Sequence, residues 1–108
     1  MGMCGGFYLR NSIFEHQKFS FYKFTNKTNG MVYIGMTMYP LTRHREHAYQ
    51  WRRGRGPFKS VENWDDLEYK ILFTVTTDYC DALRLEDELI HHVPRDKRYN
   101  SNKSSLDV

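Results

Sequence analysis

Five side chains in this 108-residue sequence have types and spacings that suit proton transfer around a bound anion. Arg43 and His47 stand four apart in "LTRHREHAYQWRR" and so project from one face if that stretch is helical. Tyr22 and Tyr33 lie in two apolar runs on either side of the turn-rich "TNKTNG". Glu86 falls inside the apolar stripe Tyr79, Ala82, Leu83, Leu89 and Ile90 of a second helical pattern, where an ionised carboxylate needs a cation, hydrogen-bond donors or a metal. Asp87 and Glu88 point progressively outward from that stripe. An ordinary core-edge salt bridge is the plain alternative for Glu86. Cross-strand packing is the plain alternative for the two tyrosines.

The elements that must position these groups follow from local signals. Phe19 to Phe24 reads as an aromatic strand, Asn29-Gly30 as a hairpin turn, and "MVYIG" as the return strand. Whether Tyr22 and Tyr33 share a face depends on register. Pro40 suits the first turn of a helix that Gly54 and Gly56-Pro57 stop. From Leu67 to Val75 every odd position is apolar, the pattern of a half-buried strand. Asp78 can cap a second helix from Tyr79 to about Val93, before Pro94. The order is β-β-α-β-α, an α+β fold with a small three-stranded, largely antiparallel sheet flanked by helices. Residues 1–18 form an amino-terminal extension, 19–102 the domain and 103–108 a tail.

Composition narrows the function classes. Residues 1–60 hold ten of the sixteen Lys/Arg and two of the thirteen Asp/Glu, a local balance of +8 against −5 for the remainder. Such asymmetry suggests a basic face for a polyanion. "WRRGRGPFK", from Trp51 to Lys59, reads as a phosphate-tracking loop or a solvated one. The cations expected on nucleic acid are Lys23, Lys27, Arg45, Arg52, Arg53, Arg55 and Lys59. There is no long apolar run to span a membrane and no secretory pattern, so an intracellular, cytoplasmic location is expected. Cys4 and Cys80 lack paired spacing, which reads as reduced thiols, and Cys80 has no identified base that would make it a nucleophile. His44 and His47 with His91-His92 lack any zinc-site spacing.

Taken together these residues resemble the GIY-YIG nuclease domain. Tyr33-Ile34-Gly35 matches "YIG" literally, and Ser20-Phe21-Tyr22 keeps only the tyrosine of "GIY". Arg43 and His47 stand at the family's helix-borne arginine and histidine-or-tyrosine positions. "ALRLEDELI" resembles the glutamate helix, with Glu86 at the metal-binding position, and Asn100 matches the closing asparagine. Met36, Thr37 and Met38 occupy the stretch where many relatives carry a lysine, whose role another residue such as Lys23 would have to meet.

The resemblance implies a metal-dependent endonuclease acting on DNA, most naturally double-stranded, with Mg2+ or Mn2+ on Glu86. Its implied catalytic set is Tyr22, Tyr33, Arg43, His47, Glu86 and Asn100. Tyr22 or Tyr33 would activate water, Tyr22 for preference, its phenol pKa lowered by nearby cations such as Arg43. Asn100 would orient groups around the substrate or the glutamate. A free-standing enzyme of a phage or mobile element, working as a homodimer or with a protein partner, fits the short chain. The alternatives are a catalytically lapsed nucleic-acid-binding module and a protein-interaction domain.

Overall fold

A computed structural model describes residues 15–100. Three strands, β1 (Gln17–Asn26), β2 (Val32–Thr37) and β3 (Leu67–Thr77), form one antiparallel sheet in the order β2-β1-β3. Two helices, α1 (Pro40–Arg52) and α2 (Tyr79–His91), complete the expected β-β-α-β-α order. The local signals act as read. Gly30 takes φ +77° in the β1–β2 turn, a conformation natural to glycine. Pro40 opens α1, and the Asp78 side chain accepts the Asp81 amide at 2.8 Å to cap α2.

The central strand β1 is buried on both faces, so its residues divide the molecule into two cores. On one face Phe19 and Phe21 meet Ala82, Leu85 and Leu89 of α2, with Met36 and Val75 beside them. On the other, Tyr22 and Phe24 pack with Phe58, Val61, Trp51, Trp64, Tyr69 and Tyr99. Burying aromatic rings of this size supplies much of the stability a short chain needs.

The third strand departs from the expected single-faced alternation. Phe21 pairs with Phe73 but its neighbour Tyr22 pairs with Ile71, so Leu72 is an extra residue, a β-bulge. Successive β1 residues point to opposite faces, so the bulge sends Val75 and Phe73 to the α2 side and Ile71, Tyr69 and Leu67 to the α1 side. An unbroken odd-position pattern in the sequence thus serves two cores.

The outer edge of β2 is covered. Arg98 bridges in parallel to Val32, and the Tyr99 amide donates to the Val32 carbonyl at 2.7 Å. An unpaired strand edge is thereby blunted. Buried Cys80, at the start of α2, is disulfide-bonded, which corrects the expectation of a reduced thiol and removes a thiolate nucleophile there. Cys4, most of the extension 1–18 and the tail 103–108 lie outside the described residues. No helix among the described residues is long and apolar enough to cross a membrane.

Candidate active site

The hairpin register answers whether the two tyrosines meet. Tyr22 lies opposite Gly35, and Tyr33 lies opposite Phe24. Tyr22 and Phe24 share a face, so Tyr33 joins them there, and the Tyr22 and Tyr33 rings sit 6.4 Å apart between centroids. Gly35 is what permits this. A methyl at that position would collide with Cζ and the phenol oxygen of Tyr22. The ring therefore lies across the backbone of β2, in space only a glycine leaves open.

Helix α1 covers this face and contributes His47, which is buried at 5% exposure. Its Nε2 is 2.9 Å from the Tyr22 hydroxyl, and Nδ1 has no hydrogen-bond partner. In the neutral tautomer protonated at Nδ1, Nε2 accepts a hydrogen bond from the Tyr22 hydroxyl; in the other, Nε2–H donates to it. Neutrality is what the surroundings dictate. Burial, then the charge of Arg43, then His44 lower the His47 pKa to about 4. His44, a turn earlier, is stacked on Tyr69 at 4.3 Å and is also shifted downward by burial. The Tyr69 hydroxyl donates to the Pro40 carbonyl at 2.9 Å, tying β3 to the start of α1.

Arg43 lies one turn before His47, and its guanidinium is half exposed, 3.5 Å from Glu46. It is the cation whose charge acts on Tyr22, Tyr33, Tyr69 and His47 alike. Arg43 lowers the phenol pKa in the expected direction, but burial outweighs it. Burial raises Tyr22 far above the ordinary phenol range, with Tyr33 adding to it; Arg43 opposes this, and Glu86 and Tyr69 add to the rise. Tyr33 is also raised, by burial and then by Glu86. Low dielectric penalises a phenolate more than one partly exposed guanidinium can offset.

Glu86 is half-buried on α2 and acts electrostatically on both phenols. The two helices lie on opposite faces of the sheet but both pack against β2, so Arg43 and Glu86 converge from two sides on the strand that carries Tyr33. Among the described residues no group of three or more His, Cys, Asp or Glu could form a metal cage.

The remaining expected residues fall differently. The Asn100 carboxamide is held by the backbone of one residue: it accepts the Ile34 N–H at 3.0 Å and donates to the Ile34 carbonyl at 2.8 Å. It thereby pins the backbone between Tyr33 and Gly35. Lys23 alternates with Tyr22 and pairs with Lys70, so it points to the face opposite Tyr22. Lys27, Arg45, Arg52, Arg53, Arg55 and Lys59 are exposed. In the basic loop the aromatics are anchors, with Phe58 in the core and the Trp51 indole N–H donating to the Val61 carbonyl at 2.7 Å.

This geometry has a family counterpart. The GIY-YIG catalytic domain matches residues 18–100. The chain belongs to the GIY-YIG family. That span takes in the hairpin, both helices and Asn100, and it marks a nuclease-type domain. No curated protein and no solved structure gives a significant match.

Proposed function

We propose that this GIY-YIG domain is an endonuclease that hydrolyses phosphodiester bonds in DNA with one divalent cation, Mg2+ or Mn2+, at Glu86. The observation that carries the reading is the buried Tyr22–His47 hydrogen bond of 2.9 Å, set one helical turn from Arg43.

The raised Tyr22 pKa argues against a resting phenolate, and the lowered His47 pKa against a resting imidazolium. Both groups are neutral, and a relay suits them. Water gives its proton to the Tyr22 oxygen as the phenol proton passes to His47 Nε2, so no free phenolate forms. The hydroxide attacks phosphorus in line, and the leaving oxygen takes up a proton from solvent. A phosphodiester beside His47 adds negative charge and raises the affinity of the imidazole for that proton.

Arg43 offers a planar, permanently charged donor set for the phosphoryl oxygens, and such pre-aimed charge is a large contribution to catalysis. A cation on Glu86 supplies Lewis-acid stabilisation of the phosphoryl charge and the leaving oxygen. Tyr33 orients the water or the phosphate from the same face. Asn100 acts through the Ile34 peptide as a positioning residue. The exposed cations on α1 and its following loop track the DNA backbone, which makes binding salt-dependent.

The test is plasmid nicking at low salt with Mg2+, beside an EDTA control and the Glu86→Ala and Arg43→Ala variants. Cutting by the wild type alone supports the proposal. DNA binding without cutting under any divalent metal would indicate a lapsed binder, and equal cutting by Glu86→Ala would remove the site.

A further inference from the structure

The connection from β2 into α1 breaks two ordinary rules at once. Tyr39 occupies the N-cap of α1 but makes no side-chain cap hydrogen bond, at a position where Ser, Thr, Asp or Asn would satisfy a free amide. Its ring is 65% exposed, with Met38 at 41% and Leu41 at 70% beside it. Neither capping nor core packing accounts for an aromatic residue there. Residues that break local preference without a structural return concentrate at functional surfaces.

Position identifies what the patch would meet. The Arg43 amide donates to the Tyr39 carbonyl at 2.9 Å, so the backbone of Tyr39 sits one turn before Arg43, as Arg43 sits one turn before His47, about 6 Å apart at each step. This succession of turns runs from the buried Tyr22–His47 pair, through the half-exposed guanidinium, to an open ring. The rim is cationic: α1 carries Arg43, Arg45 and Arg52 against Glu46 alone, with no acidic residue in its first turn. An apolar protein surface would have to desolvate those cations, whereas a nucleotide satisfies ring and cation together, base on ring and phosphate on guanidinium.

We infer that Tyr39, flanked by Met38 and Leu41, is a stacking platform for the nucleobase next to the scissile phosphate, so that the preferred substrate carries an unpaired or readily unstacked nucleotide at the cut. This rests on the nuclease reading and narrows it from DNA in general to DNA with a locally open strand. A base within an intact duplex has both faces covered, so the platform favours only a base already free or cheaply freed.

The experiment is fluorescence anisotropy in EDTA, which prevents cleavage, with a fluorescein-labelled single-stranded oligonucleotide and a blunt duplex of the same sequence. Wild type, Tyr39→Ala and Tyr39→Phe are compared over a range of salt. Tyr39→Ala should bind the single strand about tenfold more weakly, within the range for losing one base–aromatic stack. Its duplex affinity and the slope of log affinity against log salt should be unchanged. Tyr39→Phe should stay within about twofold of wild type, because stacking needs the ring and not the hydroxyl. All three should melt together, since the side chain is exposed.

Equal single-strand binding by Tyr39→Ala overturns the inference, as does an equal loss in Tyr39→Phe. A shift from dimer to monomer in Tyr39→Ala with DNA affinity intact would also overturn it, assigning the patch to a second copy of the chain. If wild type binds neither probe, the nuclease reading falls with it; if wild type binds and only the Tyr39 effect is missing, this inference falls alone.

Discussion

The two faces of the sheet each hold a buried cluster and differ in what they can do. Against α2, Phe19, Phe21, Met36 and Val75 meet Ala82, Leu85 and Leu89, a set with no titratable group. Against α1, Tyr22 and Phe24 meet Tyr33, His44, His47 and Tyr69, rings of similar bulk that carry hydroxyls and ring nitrogens. Aromatic residues with polar tips let one layer be core and still carry titratable groups, because the ring buries area while the tip keeps a hydrogen bond. The α2 face holds the chain folded, and its helix carries Glu86, whose charge acts on both phenols. The α1 face spends its burial on shifting the proton affinities of Tyr22 and His47.

That contrast is open to challenge by substitution. The largest stability effect belongs to the purely apolar side: Phe21→Ala should cost about 3–5 kcal/mol in urea unfolding, while the cleavage rate per folded molecule holds. A matching fall in that rate would mean the faces are not separable.

The next effect is pH-dependent and belongs to the α1 face. An unfolded His47 takes a proton near its ordinary pKa, whereas the folded one resists until pH is about 4. Between those values the unfolded chain binds more protons, so stability rises with pH and is lost as pH falls through that window. The contribution is about 2–3 kcal/mol, read as the difference in unfolding free energy between pH 7 and pH 4.5, and it should vanish in His47→Asn.

Gly35→Ala should cost about 1–3 kcal/mol through overpacking against a ring that His47, Phe24 and Tyr69 hold in place. Its sharper signature is the loss of the Tyr22–His47 hydrogen bond, visible in the hydroxyl and imidazole proton resonances. Smallest is Asn100→Ala, about 1–2 kcal/mol for two hydrogen bonds at a strand edge, with faster hydrogen exchange at the Ile34 amide.

Much of this architecture is legible in the sequence because its signals are local. Asn29-Gly30, Pro40 and Asp78 each act within a few residues, so the hairpin and both helix starts can be read before the fold is known. The family is legible too, through the order and spacing of Tyr22, Tyr33, Arg43, His47 and Glu86.

What escapes the reading is non-local. The bulge at Leu72 exists only in the pairing of β3 with β1, so five apolar odd positions look like one face. The direction of the Tyr22 pKa escapes for the same reason: neighbouring cations can be guessed from the chain, but the depth of burial that outweighs them cannot. The Asn100 hydrogen bonds to the Ile34 backbone, 66 residues away in sequence, are of the same non-local kind. Tyr39 looks ordinary until its 65% exposure is seen beside Met38 and Leu41.

The most direct test is single-turnover cleavage by Tyr22→Phe beside Phe21→Ala, neighbours on one strand that face opposite layers. The account predicts that Tyr22→Phe stays folded and cuts at least about a hundredfold more slowly, as expected for a lost proton-transfer group, while Phe21→Ala is destabilised and cuts at the wild-type rate per folded molecule. Undiminished cutting by folded Tyr22→Phe would contradict the assignment of water activation to the α1 face.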